Sequence, residues 1–125
     1  MREKQELANE LIEAVERKGL ALALVAVFGR RVNVSVPYSE QAFKVEVDTL
    51  DLSVRAINSL KRCGIFTLGG AVEAIMNGEL PRIRNLGKKT ENEIKTRVLE
   101  FAYEQLNSQE KKQFFFDLIE KNGLR

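Results

Sequence analysis

The segment RIRNLGKKTENEIK, residues 82–95, places four cations around a Leu-Gly pair immediately before a helical pattern. Because glycine adopts backbone conformations that other residues avoid, the central Asn-Leu-Gly predicts a tight turn that directs its leucine into the core. The helix after Gly87 begins with free N–H groups and the positive end of its dipole, a combination that attracts anions. Lys88 and Lys89 add full charges there. The segment therefore predicts a phosphate-binding turn between two helices.

The same segment also fits an ordinary solvated loop, in which Thr90 and Glu93 form a T-x-x-E capping box. A nucleotide P-loop does not fit, because that pattern requires glycine at position 82, where the sequence has Arg82. A second polar element favours the phosphate site over the loop. Residues 52–62 predict a helix with Val54, Ile57 and Leu60 inward. Its opposite face is expected to carry Arg55, Asn58, Ser59 and Arg62.

This second face has the chemistry of a duplex-binding surface. Arginine is suited to a narrow, electronegative minor groove, while asparagine and serine bond to phosphate or sugar. Further helices are predicted over 68–77, from Gly87 to about Leu106, and from Ser108 onward. The chain from Asp51 to its end is thus expected to be helical.

Residues 1–48 have a different pattern. Arg2–Lys18 predicts a helix, and three segments then resemble strands: LALALVAVF (20–28), RVNVSV (31–36) and AFKVEV (42–47). A II′ hairpin turn is expected at Phe28–Arg31 and a second turn at Pro37–Glu40. The first of these segments also fits a prolonged helix. We predict an α+β protein, in which a helix and a small antiparallel β-meander precede a compact all-α helix-hairpin-helix domain.

Three parts are expected: 1–48, a helix plus meander for dimerisation or docking; 49–107, the DNA-binding domain; and 108–125, a C-terminal helix. A homodimer through residues 1–48 is one option, because the edges of a short sheet pair readily. Phe114, Phe115 and Phe116 cannot all face one core at helical spacing, so we expect at least one to be exposed or covered by another chain.

The segment DLSVRAINSLKRCGIFTL (51–68), followed by RIRNLGKKTENEIK, resembles the C-terminal domain of the bacterial RNA polymerase alpha subunit over about residues 50–101. The motifs that carry this resemblance are L-S-V-R-x-x-N-x-L-K-R-x-G-I and R-N-L-G-K-K-[ST]. The resemblance implies a helix-hairpin-helix fold that binds A·T-rich DNA through the minor groove and backbone, and that touches activators and sigma factor. Residues 1–48 show no such resemblance.

By position, the resemblance implies that Arg55 enters the groove with Asn58 beside it. The full set of implied DNA contacts is Arg55, Asn58, Asn85, Gly87, Lys88, Lys89 and Thr90. Glu93 lies nearby as a candidate contact to a protein partner. Two positions depart from the family pattern, since Ala56 stands where serine is frequent and Ser59 where cysteine is frequent.

Two functions fit these observations. The first is a DNA-binding transcription protein that recognises A·T-rich duplex. The alternative is a protein-interaction module that binds RNA polymerase, sigma factor or a regulator without DNA contact, through residues 1–48 or the 114–119 apolar cluster. No enzyme is expected, since the chain offers no histidine base and no paired Cys/His nucleophile; polymerase activity would belong to the assembled polymerase.

The amino-acid composition restricts the class of protein further. Apolar residues at 44% and charged residues at 30% indicate a globular chain rather than a disordered one. The net charge is only +2, but residues 82–97 hold six cations and two anions, net +4. One cysteine and no histidine exclude an internal disulfide and an ordinary His/Cys zinc site, so no metal or cofactor is expected. Without an apolar signal core or an 18-residue apolar run, we expect a cytoplasmic protein with no membrane partner.

Overall fold

The computed structural model describes residues 3–29, 34–37 and 40–123. The chain divides into two compact units. Unit 1 consists of Met1–Pro37 and Leu106–Arg125, and unit 2 is Tyr38–Gln105. Within the described ranges all regular structure is helical, and β-pairing is limited to an isolated bridge between Glu46 and Thr67.

Six α-helices follow one another along the described parts of the sequence. Unit 1 contains α1 (Lys4–Lys18), α2 (Leu20–Phe28) and α6 (Ser108–Lys121), and unit 2 contains α3 (Val54–Arg62), α4 (Leu68–Met76) and α5 (Lys88–Glu104). Unit 2 also has short 3₁₀ turns at Ala42–Lys44, Val47–Thr49 and Leu80–Arg82.

The predicted α+β fold class is wrong, because the described residues form helices and no β-meander. Its first segment is helix α2, in which Leu and Ala make up six of the nine residues. Both residue types favour helices, and an apolar run has no periodicity that separates a buried helix from a buried strand. Of the second segment, residues 34–36 have no regular structure. The predicted turn residues at 30–31 and 38–39, and strand residues 31–33, lie outside the described residues.

The third segment, 42–47, is tied to unit 2 rather than to a sheet. Val47 N–H donates to the Phe66 carbonyl at 2.9 Å, and Leu68 N–H donates to the Val45 carbonyl at 2.8 Å. Gly69 allows this close approach, since a Cβ there would lie 3.0 Å from the Phe43 carbonyl oxygen. The alternation that suggested a strand is instead produced by a loop docked on the loop between α3 and α4.

In unit 1, α1 packs against both α2 and α6. The buried side chains come from all three helices: Leu7, Ala8, Leu11, Ala14, Leu20, Ala23, Leu24, Phe115, Leu118 and Ile119. Of the three consecutive phenylalanines only Phe115 is fully buried, while its two neighbours are half-buried. Helix α6 is capped by Asn107 rather than by the predicted Ser108, through a capping box with Glu110.

In unit 2, α5 packs against α3 and α4. Its buried residues include Ala56, Leu60, Leu68, Ala71, Val72, Leu80, Ile94 and Val98. The unit boundaries at 37 and 105 describe packing. The functional division at 48 and 107 remains a prediction.

Candidate nucleic-acid interface

Helix α3 forms where the sequence predicts it, but its buried face is rotated. Ser53 is the N-cap, and its hydroxyl accepts a hydrogen bond from Ala56 N–H at 3.2 Å. Val54, expected inside, is 74% exposed, whereas Ser59, expected on the polar face, is 2% exposed. Ala56 is completely buried. Of the other two positions expected inside, Leu60 is completely buried and Ile57 is half-buried, so the stripe was wrong at Val54 and missed Ala56 and Ser59.

Arg55 and Asn58 are exposed, as a binding role requires. Together with Ser59, Lys61 and Arg62 they line a shallow concavity of about 640 Å³ on α3. Arg62 donates from Nη2 to the Ser59 hydroxyl at 3.4 Å, so the small polar residue orients a cation on this face. Three of its five lining residues are cations, and the concavity is open to solvent.

The turn before α5 is produced by asparagine rather than by glycine. Asn85 has φ +65°, and Leu86 N–H donates to the Ile83 carbonyl at 3.2 Å across the turn. Asparagine tolerates this left-handed conformation better than most residues. Gly87 has φ −71° and ψ 161°, ordinary extended values for the N-cap of α5. The prediction that Gly87 supplies the turn's conformation is therefore wrong.

Neither the backbone nor the packing of the described residues requires glycine at position 87. A Cβ built there would meet nothing within 4 Å. The first turn of α5 has no side-chain cap, so its leading N–H groups face outward beside this open space. Gly87 therefore leaves room for close approach by a molecule outside the protein.

The predicted Thr90–Glu93 capping box is not formed. Thr90 lies inside α5 and is 8% exposed. The Glu93 carboxylate instead accepts two hydrogen bonds from Ser53 at the start of α3, from N–H at 2.6 Å and from the hydroxyl at 2.9 Å. This pair of bonds joins the first turn of α3 to the second turn of α5.

The cations at the start of α5 differ in how far they are neutralised. Glu91, 4% exposed, pairs with Lys95 at 2.7 Å and with Lys88 at 3.6 Å. The hydrogen bond from Lys95 lowers the pKa of Glu91 below its ordinary value, despite the opposing effect of burial. Lys89 has no ion pair within the described part of the sequence. It is therefore the lysine whose charge is fully available to a ligand.

Arginines near this turn and on α3 share this property. Within the ranges described above, no carboxylate pairs with Arg55, Arg82 or Arg84, and all three are exposed. Arg84 occupies a corner of the turn beside Asn85. Arg82 and Arg84 were noted in the sequence but not assigned to the site. The i, i+3 and i, i+4 spacing of charges around Glu91 was the available signal that Lys88 and Lys95 would be paired instead.

A family model that describes the C-terminal domain of the alpha subunit of bacterial RNA polymerase matches residues 36–100, just over half of the sequence. The protein therefore belongs to this family of RNA polymerase alpha C-terminal domains. This confirms the resemblance seen over residues 50–101 and extends it toward the N-terminus, across the docked 42–47 loop. The matched module is a non-catalytic domain, which agrees with the expectation that this protein is not itself an enzyme.

Curated relatives are named DNA-directed RNA polymerase subunit alpha. The proteins of Onion yellows phytoplasma and Malacoplasma penetrans are 42% and 43% identical over 60 residues, which is 48% of this sequence. The Symbiobacterium thermophilum protein is 43% identical over 59 residues, 47% of this sequence. Each alignment covers only 18% of the relative's length. No solved structure matches the protein significantly.

The helices and the clusters of acidic, cysteine and histidine side chains were compared with the requirements of a membrane span and a metal site. None of the helices in the described ranges is long and apolar enough to cross a membrane. Across the same residues, no three acidic, cysteine or histidine side chains form a group that could hold a metal ion.

Proposed function

We propose that unit 2 binds A·T-rich duplex DNA through the minor groove and the flanking phosphates, as part of a transcription protein. The observation that carries this proposal is the Ser53–Glu93 link, which puts the first turn of α3 beside α5. We infer from this proximity that the arginine-bearing helix and the uncapped N-terminus of α5 act as one surface. Family membership supports the proposal, since the relatives are DNA-directed RNA polymerase subunits.

Each residue of the proposed surface has a distinct role. Arg55 enters the minor groove, where the exposed guanidinium meets a concentrated negative potential. Asn58 bonds to the adjacent sugar or phosphate. Gly87 lets a phosphate approach the free N–H groups of α5, and Lys89 neutralises it.

Three residues have smaller roles in this proposal. Asn85 holds the turn through its left-handed backbone and presents its amide at the same edge. Thr90, 8% exposed, contributes mainly its backbone N–H. Lys88 shares its charge with Glu91 at 3.6 Å, so its contribution is weaker than that of Lys89.

The number of contacts determines how the binding responds to salt. Each neutralised phosphate contributes a slope of about −0.9 to log K against log salt concentration for B-DNA. A module with a few such contacts binds weakly at physiological salt. RNA polymerase is the partner that the family suggests for raising its effective concentration at a promoter.

The test compares A·T-rich with G·C-rich duplexes by NMR titration at two salt concentrations. We expect shifts confined to residues 55–62 and 85–93, stronger with the A·T-rich duplex and weaker at higher salt. Arg55→Ala should weaken binding by about 10-fold to 100-fold and remove the A·T preference. Arg17→Ala, which removes an exposed cation from α1, is the charge-matched control. Equal binding of both duplexes, or no effect of Arg55→Ala, would refute the proposal.

A protein-docking function is the second candidate, favoured by apolar side chains on the surface of unit 2. Phe66 and Met76 are 56% and 77% exposed. A sigma factor, a regulator or polymerase itself would be the partner. Capture of purified RNA polymerase that persists in an Arg55→Ala, Lys89→Ala double variant, without DNA binding by the wild type, would favour this function.

A homodimer through residues 1–48 is also proposed, on a new basis. No sheet edge forms among the described residues of this segment, but α2 exposes Leu22 and Val25 at 62% and 61%. Sedimentation of a Leu22→Ser, Val25→Ser double variant tests this: a dimeric wild type and a monomeric variant are expected. A cytoplasmic location is proposed because Cys63 is an exposed free thiol, which suits a reducing compartment.

A further inference from the structure

We propose that Glu91 limits the affinity of the DNA-binding surface, because its carboxylate withholds Lys95, and partly Lys88, from the phosphates of a bound duplex. This inference rests on the proposed DNA-binding function and adds to it a residue that weakens binding. Lys95 is then a latent phosphate contact, which DNA reaches only when the pair with Glu91 is broken.

The exposed face of α5 continues from the phosphate-binding turn as a basic strip. Lys88, Asn92 and Lys95 lie at i, i+4 and i+7, so they follow one face of the helix, and all three are exposed. Lys95 lies about 10 Å beyond Lys88 along the helix axis, at a rise of about 1.5 Å per residue. Phosphates recur about every 3.4 Å along each strand of a duplex. A strand with one phosphate at Gly87 can therefore bring another to this strip.

The carboxylate of Glu91 lies between the two lysines and is shielded from solvent. Its side chain is only 5% exposed, and it contacts Lys95 Nζ at 2.7 Å and Lys88 Nζ at 3.6 Å. A carboxylate in such a place is poorly solvated when it loses its cation, so separating the pair is costly. The cost is greater for Lys95, whose side chain is 44% exposed, than for the more distant Lys88, whose side chain is 77% exposed.

The ionised form of Glu91 keeps this pair in place at neutral pH. The hydrogen bond from Lys95 lowers the pKa of Glu91, and it outweighs the opposing effect of burial. The carboxylate is therefore charged whenever DNA is bound near neutral pH, and Lys95 must give up this partner to contact a phosphate. Lys89 has no ion pair within the described part of the sequence and bears no such cost.

An ion pair at i, i+4 can also serve only to stabilise its helix. In that case the loss of the Glu91 charge would lower the stability of α5 and leave the number of phosphate contacts unchanged. A limiting role instead predicts tighter binding with a steeper salt dependence, because a freed Lys95 neutralises one more phosphate. The salt slope thus separates the two roles.

The experiment measures the affinity of the full chain for an A·T-rich duplex at several salt concentrations in Glu91→Gln, Lys95→Met and the double variant. Glu91→Gln should bind about threefold to tenfold more tightly, with a salt slope steeper by about 0.9. Lys95→Met should change the affinity of the wild type by less than about twofold, yet it should abolish the gain in Glu91→Gln. Glu104→Gln removes an exposed carboxylate about 20 Å further along α5. As the matched control it should change affinity by less than about twofold, because salt screens charges at that distance.

A DNA-free measurement separates this inference from the proposed function. NMR titration of the Glu91 carboxyl should give a lowered pKa in the wild type and a higher pKa in Lys95→Met. If the pKa does not rise, the pair is refuted even when DNA binds. If the wild type binds duplex and Glu91→Gln binds no more tightly, only the limiting role fails. If neither protein binds duplex, the proposed function fails and the limiting role fails with it.

The double variant decides how Glu91 acts. A gain in affinity that survives Lys95→Met would show that Glu91 only repels DNA, and it would refute the latent contact. A large loss of affinity on Lys95→Met alone would show that Lys95 already contacts DNA in the wild type, which also contradicts the inference. Thermal unfolding of each variant checks the fold. If Glu91→Gln does not fold, Glu91→Met, an unbranched apolar side chain suited to a buried helix position, takes its place in the comparison.

Discussion

Helices α2 and α3 are both nine residues long, yet they are built in contrasting ways. Helix α3 begins at a serine cap, ends with two cations and divides clearly into buried and exposed faces. Helix α2 contains only Leu, Ala, Val and Phe, and its start has no side-chain cap. Its buried residues are Leu20, Ala23 and Leu24, whereas Leu22 and Val25 on the same helix are exposed.

The contrast shows what a sequence pattern can convey. In α3 the exposed Arg55, Asn58 and Arg62 identify the face that offers chemistry to a ligand, although the polar Ser59 is buried. In α2 every position has the same character, so the buried face is chosen by α1, against which the helix packs. Function is proposed for α3 from its own side chains. For α2, only the exposed apolar side chains of Leu22 and Val25 suggest a role.

The largest expected effect tests whether α2 owes its stability to one face. Leu20→Ala should lower the free energy of unfolding by about 2–5 kcal/mol, because it leaves a cavity at a side chain that is 1% exposed. Leu22→Ala, the same change at a 62% exposed position, should cost less than about 0.5 kcal/mol. Chemical denaturation measures both. Equal losses would mean that α2 buries a different face in solution.

The next effect tests the side-chain N-cap of α3, a feature that α2 does not have. Ser53→Ala should cost about 1 kcal/mol of stability through loss of the N-cap. It should also weaken DNA binding, because the hydroxyl bond to Glu93 is lost and only the bond from the backbone N–H of residue 53 remains. Thr67→Ala removes the equivalent cap of α4, where the hydroxyl accepts from Gly70 N–H at 3.1 Å. It should destabilise the fold similarly while leaving DNA affinity unchanged. Denaturation and duplex titration of both variants provide the comparison, and equal DNA affinities would count against the link.

A smaller effect tests how far the cationic surface of α3 continues into the turn before α5. Arg84→Ala should reduce the salt slope of binding by about 0.9, since the exposed, unpaired guanidinium at the turn corner would contact one phosphate. The preference for A·T-rich duplex should persist, because a phosphate contact carries no base information. Titrations at several salt concentrations measure the slope. An unchanged slope would restrict the surface to α3 and the start of α5.

The smallest expected effect concerns pH. The hydrogen bond from Lys61 on α3 lowers the pKa of Asp48, so the bond contributes stability above the ordinary Asp pKa. That contribution is lost as the pH falls through the lowered value. Helix α2 has no titratable side chain. NMR titration through the acid range should therefore shift Asp48 and Lys61 resonances. Asp48→Asn should abolish the acid-range shift of the Lys61 resonances. A shift that persists in this variant would come from another titrating group.

Much of unit 2 was predictable from its sequence. Ser53, Thr67 and Gly87 stand at helix starts, and the two motifs at 52–65 and 84–90 lie in the order that the family model matches. The polar face of α3 was predicted to carry Arg55, Asn58 and Ser59; the first two are exposed, but Ser59 is buried. A small polar residue can occupy the closest helix contact, and spacing alone does not show when it does.

Residues 20–47 were predicted incorrectly for a physical reason. Alternation and apolar runs report only which residues avoid water, and a loop docked on another loop produces the same pattern as a strand. The 42–47 segment alternates because Phe43, Val45 and Val47 are half-buried or buried while Lys44 and Glu46 are exposed, yet backbone hydrogen bonds join it to Phe66 and Leu68. Those partners are distant in the sequence.

The starts of α4 and α5, the cationic turn and the family motifs could be read from the sequence, because caps, charges and motifs act over a few neighbouring residues. The packed structure was needed to show which face of α2 is buried, that Asn85 rather than Gly87 makes the turn, and that Glu93 reaches Ser53. The Glu93–Ser53 bond joins residues 40 positions apart. A local pattern cannot specify such a contact, since its energy depends on how two helices pack.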